Sequence, residues 1–152
     1  MGPNPTDRGK QGTKHHLVVD GQGTPLAALL SGANRNDCKL LELAVDAIPP
    51  VRNGKPGRPR CRPEKLHADK AYDHAFCRQA LRKRGIIPRI ARRGIESSER
   101  LGRHRWRVER TLSWLHRYRR LRIRYEQRDD IHQAFLSLGC ALICFKQLQR
   151  FC

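Results

Sequence analysis

Residues 14–32 read KHHLVVDGQGTPLAALLSG. Two runs of β-prone residues, 14–20 and 24–32, flank the turn-forming DGQG, a pattern that predicts a β-hairpin. His15 and His16 are adjacent, so in a strand they face opposite sides. Working outward, residues 1–13 are Pro, Gly and polar residues and read as a loop. Residues 36–48, NDCKLLELAVDAI, set Leu40, Leu41, Ala44 and Ile48 at helical spacing, with Asn36 or Asp37 able to cap the start. Residues 49–65 hold five prolines and six basic residues, an exposed loop. LHA at 66–68 is a short strand that ends at Asp69. Asp73 is placed to cap a helix through Arg84, which Gly85 ends. IIPRIA at 86–91 is a further strand, and 92–102 a polar loop. From 103 to 118 Val108, Leu112 and Leu115 share a helical face. A last helix starts after Asp130, with Gln133 completing a capping box, and runs to about residue 149. The order β-β-α-β-α-β-α-α predicts an α/β fold with a mixed sheet covered by helices, in one domain over residues 1–152.

The charge points to the kind of partner. The 152 residues carry 32 Lys and Arg against 14 Asp and Glu, a formal charge of +18. So large a one-sided charge suits a polyanion, nucleic acid first. An acidic membrane surface is the rival, but the longest near-apolar stretch, 134–145, is too short to span a bilayer and reads as a buried helix. The opening MGPNPT is polar and does not read as a signal peptide. The six cysteines form no CxxC pair, which fits a reduced cytosolic setting. Cys140 and Cys144, one helical turn apart in an apolar run, read as small core residues. The histidines show no zinc-ligand spacing.

The charge is also concentrated. Residues 100–128 contain eleven arginines, at 100, 103, 105, 107, 110, 117, 119, 120, 122, 124 and 128, opposed only by Glu109 and Glu126. Trp106, Trp114, Tyr118 and Tyr125 are interleaved with them. Guanidinium forks bind phosphates, and aromatic rings stack on unpaired bases. A solvated helix face would mix both signs. We therefore read Arg105, Arg107, Arg110, Arg117, Arg119, Arg120, Arg122 and Arg124 as DNA contacts. The loop KPGRPR at 55–60 adds Lys55, Arg58 and Arg60, a Pro-flanked basic hook suited to a narrow minor groove or simply to water.

Two acids stand out against this background. Asp69 follows a strand, where an aspartate is most often a cap or turn residue. Glu109 lies among arginines, where spacing alone favours an internal ion pair with a neighbour such as Arg105. A nuclease, however, needs carboxylates from separate elements to hold divalent metals near the reacting phosphate. Mg²⁺ takes few carboxylates and keeps waters, so two or three acids suffice.

The blocks GPNPTDRGKQGTKHHLVVDGQGTPLAALLSGANRND, LHADKAYD, GIIPRIARRG, RHRWRVERTLSWLHRYRRLRIRYE and IHQAFLSLGCALICF together resemble the C-terminal part of bacterial insertion-sequence transposases of the DDE type, nearest the insertion-sequence-five family. The resemblance implies an RNase H-like mixed sheet flanked by helices, strand cleavage and transfer at the element's ends, and two Mg²⁺ or Mn²⁺ ions. It implies Asp69 as the second catalytic acid and metal ligand, and Glu109 as the catalytic glutamate and metal ligand. A wider Tyr-Arg-Glu-Lys signature is matched at Arg105 and Glu109. It is departed from at Gly102 and His116. The family's first aspartate lies on the central strand before the GPNPTDRGK block. That strand and its acid are expected to be lacking here, with Asp20 as a substitute candidate that its turn position explains as well. The resemblance implies as partners insertion-sequence ends and target DNA, an upstream or frame-shifted transposase segment and a second copy of the chain, without a membrane, in the bacterial cytoplasm at the nucleoid. The chain alone is then expected to be inactive. The other class open to this sequence is a non-catalytic basic DNA- or RNA-binding protein.

Overall fold

The computed structural model describes residues 1–52, 54, 56–92, 94 and 98–149, with only the backbone for 98–105. The chain forms two compact units, Met1–Arg35 with Arg107–Cys152, and Asn36–Trp106.

The first unit is built on the expected hairpin. β2 (Gln11–Val19) and β3 (Pro25–Gly32) pair antiparallel from Thr13 opposite Gly32 to Val18 opposite Ala27, with an irregularity between Val18 and Val19. The Asp20 carboxylate closes the turn, accepting from the Gln22 and Thr24 amides at 2.7 and 2.9 Å. Gly23 sits at φ +83°, a conformation open to glycine. Residues 1–13 are more ordered than a loop. β1 (Gly2–Pro3) pairs antiparallel with the start of β2, after a turn in which Arg8 and Gly9 both have positive φ. The pleat then sorts the side chains. Leu17, Ala28 and Leu30 face the core formed by Leu115, Leu121, Leu136 and Ile143. His16 and Ser31 lie buried on the opposite face, 2.8 Å apart.

That core is closed by helices. α3 (Ser98–Leu115) starts earlier and ends earlier than the 103–118 expected from periodicity. A turn at 116–118 and a short helix α4 (Arg119–Arg122), not foreseen in the sequence, follow. α5 (Asp129–Leu148) packs on β3. Its start has no side-chain cap. Gln133, the expected capping-box residue, instead donates from Nε2 to the Ala28 carbonyl at 2.9 Å, tying helix to sheet. Gly139 allows α5 to approach closely, since a Cβ there would lie 2.8 Å from Leu121 Cδ1 and 3.0 Å from Leu115 Cδ2. The apolar run 134–145 thus belongs to a 20-residue helix that is long and apolar enough to cross a membrane. The core helix of a soluble protein can be equally long and apolar, and one face of α5 is committed to the core.

In the second unit Asn36 caps a 3₁₀ turn, Asp37–Leu40, through its side chain to the Cys38 amide. The turn leads into α1 (Leu41–Asp46), and Leu40, Leu41, Ala44 and Ile48 are all buried as their spacing predicted. β4 (Lys65–Ala68) and β5 (Ile87–Ile90) pair in parallel through the connecting helix α2 (Ala75–Lys83). Asp73 does not cap α2. His74 stands at the N-cap, and Asp73 accepts from Arg78 at 2.6 Å. Gly85 ends the helix at φ +71°. Arg84 then bridges to Glu42 and Asp46 at 2.9 and 2.7 Å, fixing α1 against α2. The strands therefore lie in two sheets, a three-stranded antiparallel one and a parallel pair, where one mixed sheet was expected. The α/β class stands.

Candidate active site

Asp69 lies where β4 ends. Its Oδ1 accepts from the Ala71 amide at 2.9 Å and caps a 3₁₀ turn, Lys70–Tyr72, so the cap reading is met. A carboxylate has a second oxygen, and for Asp69 that oxygen has no hydrogen bond among the described residues. The residue is half-buried. Around it the LHADKAYD stretch is tightly held. Arg78 binds Asp73 and also donates to the Ile90 carbonyl at 3.0 Å, linking the segment after β4 to β5. Burial, then the charges of Asp37 and Asp69, hold the Tyr72 phenol above its ordinary range, so it stays protonated. Asp37 thus shares its surroundings with Asp69, a neighbour that their separation in sequence concealed.

Glu109 is exposed on α3, in the other unit. The turn after β2 docks on this part of the helix. Thr111, fully buried, donates its hydroxyl to the Gly23 carbonyl at 2.7 Å, and Arg110 donates to the Gln22 carbonyl. A Cβ on Gly23 would meet Arg110 Nη2 at 2.7 Å. The Asp20 turn and the Glu109 helix are therefore brought together, but Oδ1 of Asp20 is held by the two turn amides. Among the described residues no three His, Cys, Asp or Glu side chains stand close enough to hold a metal ion.

The arginines fall into two sets. Arg124 donates to Thr13 Oγ1, to the Glu126 and Gln127 carbonyls and to Asp129, and so fastens α4 and α5 to the sheet. Arg120 binds Glu126 at 2.6 Å and lies over the Tyr125 and Phe135 rings. Arg119 donates to the Tyr125 hydroxyl at 3.2 Å. Arg110 lies 4.7 Å from the Trp114 ring centroid. Arg117 and Arg122, by contrast, are exposed, and among the described residues their hydrogen bonds are made by the backbone, to the Trp114 and Tyr118 carbonyls. They line an open groove of about 530 Å³ with Ser113, His116, Arg119 and Ile123. A smaller recess of about 240 Å³, lined by Trp114, Arg117, Tyr118, Ile143, Lys146 and Gln147, shares Arg117 with it. Arg58 and Arg60 are exposed in the proline-rich loop, whose stem pairs Val51 with Arg60. The Lys55 and Arg105 side chains lie outside the described residues.

A polar cluster lies under the helices of the first unit. His15 Nε2 is 3.1 Å from His132 Nε2, and His132 Nδ1 is 3.4 Å from Glu126 Oε2. An ionised Glu126 only accepts, so His132 carries its proton on Nδ1 and accepts at Nε2 from His15. Burial, then the charges of His132, His116, His16 and Arg124, push His15 down to about 4. Burial also lowers His132. Burial would raise the Glu126 carboxyl, but hydrogen bonds from Arg120 and His132 outweigh it and hold Glu126 below the ordinary range. Spacing gave no hint of this cluster, because His15 on β2 lies more than a hundred residues from Glu126 and from His132 on α5.

Residues 2–144 match the family model described as the transposase DDE domain. A Burkholderia cepacia protein named "Putative transposase for insertion sequence element IS402" is 58% identical over 149 residues, covering 98% of this chain and 70% of that protein. No solved structure matches the chain. The match runs from β1 to α5 and takes in both Asp69 and Glu109: the chain belongs to the DDE transposases of bacterial insertion sequences.

Proposed function

We propose that this chain is the C-terminal part of a transposase catalytic domain that cuts DNA at the ends of its insertion sequence and joins the freed strand to a target. In this reading Asp69 and Glu109 are ligands of divalent metal, Mg²⁺ or Mn²⁺. The observation that carries it is the state of Asp69. One oxygen fixes the carboxylate to the turn after β4, and the other has no hydrogen bond among the described residues. A hard carboxylate oxygen held this way suits Mg²⁺, which takes one or two carboxylates and keeps its waters.

Neither unit by itself holds three such ligands among the described residues. We place the remaining acid on a further segment of the protein, consistent with a relative of which 30% lies beyond the matched region. In this reading the same segment supplies the central strand of an RNase H-like fold. Bound metal supplies charge stabilisation at the transferred phosphoryl group and activates the attacking oxygen. The chain's own residues do the positioning. Asp69 is fixed by its turn, and Arg117 and Arg122 hold the strand by its phosphates.

The test uses the longer protein, with insertion-sequence-end DNA and Mg²⁺. Asp69→Ala and Glu109→Ala should each lower strand cleavage by about a thousandfold or more while DNA binding persists. Undiminished cleavage in both variants overturns the assignment. Binding without cleavage in the unmodified protein would favour a non-catalytic basic DNA- or RNA-binding protein.

A further inference from the structure

We propose that the groove and the recess, which both have Arg117 in their lining, form a subsite for a single unpaired nucleotide, with its backbone in the groove and its base in the recess. This rests on the reading of the chain as a DNA-acting transposase, and assigns to one place a ligand that reading leaves open.

The two cavities differ in chemistry. The groove presents Arg117, Arg119, Arg122 and His116 with the Ser113 hydroxyl, a set rich in donors and cationic groups and without a carboxylate. A phosphodiester matches such a lining, and a neutral or cationic ligand does not. The recess is walled by Trp114, Tyr118 and Ile143, with Arg117 and Lys146 as its cations. Flat apolar rings beside a guanidinium make a stacking platform for a nucleobase. Arg117 lines both cavities and its hydrogen bond among the described residues is made by the backbone, so the exposed guanidinium is open to the phosphate that joins the two.

The ligand must be unpaired for a geometric reason. In a duplex the faces of each base are covered by its neighbours, and only the edges and the backbone are exposed. The groove alone would accept a duplex backbone. Aromatic walls in a recess of about 240 Å³ are of use only to a base that has left its stack. The ring set is also well supported. Trp114 and Tyr118 both pack against the core of Leu115, Leu121, Leu136 and Ile143, so they present fixed surfaces.

The test compares two oligonucleotides of equal phosphate charge, single-stranded oligothymidylate and the same oligomer with abasic residues at its central positions. Binding of the full chain is followed by fluorescence anisotropy across a salt series. Thymine should bind about tenfold or more tightly than the abasic strand. Tyr118→Leu and Trp114→Leu should each bring that ratio towards one and leave affinity for the abasic strand unchanged. Arg117→Ala should weaken both strands alike and lower the slope of log affinity against log salt by about one. Circular dichroism establishes that each variant is folded. The unmodified chain and the exposed Arg117→Ala variant keep the test decisive should an aromatic variant unfold. Equal affinity for the two strands with steep salt dependence overturns the subsite but not the DNA reading. A ratio that persists in both aromatic variants also overturns the subsite. Failure of every oligonucleotide to bind overturns the DNA reading and the subsite with it.

Discussion

His15 and His132 are 117 residues apart in the chain, yet their ring nitrogens lie 3.1 Å apart. That contact accepts one shared proton. A second proton would set two N–H donors against each other beside Arg124. Both imidazoles are held below their ordinary value of 6.5 in the folded state, His15 at about 4. The unfolded chain therefore binds more protons between those limits. The stability that goes with the neutral pair is full above pH 6.5 and is lost as the pH falls below it, for His15 by up to about 1.4 kcal/mol per pH unit down to about 4. The carboxyls of Glu126, Asp129 and Asp130 are also depressed, and their loss comes at lower pH. Urea midpoints measured from pH 7.5 to 4.5 should fall through this window, and His15→Gln should flatten the fall. A profile that is level from 7 to 5 in the unmodified chain would contradict it. The cap role of Asp69 was legible because an aspartate that ends a strand usually holds the turn after it, and it does. The histidine pair was not, because a contact between a strand and a helix so far apart leaves no local pattern. The pleat did show that His15 and His16 part company, and they do.

Among the elements, the packing of α5 turns on a single small residue. Its crossing over the 115–121 segment is set by Gly139, where a methyl group would come within 2.8 Å of Leu121 Cδ1. Alanine in a helix interior is favoured over glycine by about 1 kcal/mol. Overpacking a well-filled site costs about 1–3 kcal/mol. The contacts at 2.8 and 3.0 Å are to core side chains with little room to move, so the steric term wins. Gly139→Ala should lower stability by about 1 kcal/mol, and Gly139→Val by more, read as a fall of a few degrees in Tm. A rise in Tm for alanine would show that Leu121 gives way. The hairpin, β4, β5 and the buried face of α1 were legible, since each follows a short-range period or turn signal. The start of α3 was not, because 92–102 is polar and carries glycines that read as loop. Nor was α4, whose four residues are all but one arginine. Its Leu121 reaches the core, a tertiary fact that no window of sequence contains.

At the scale of the whole molecule, strand edges and charge act together. β3, β4 and β5 each have one edge without a strand partner among the described residues. Backbone N–H and C=O groups on such edges pair with other chains unless covered. A formal charge of +18 opposes association at low salt, and screening removes that protection. Two small units, each with its own core, also give less cooperativity than one continuous sheet would. The isolated chain should therefore unfold at low urea in a broad transition and self-associate as NaCl is raised. The longer protein, in which we propose that a further segment adds a strand, should unfold at higher urea in one steep transition. Size-exclusion chromatography across a salt series and urea melts of both proteins make the comparison. A monomeric, steeply unfolding isolated chain would mean that its strand edges are already satisfied. The further segment would then have no strand to add, and the remaining acid would have to come from another part of the protein.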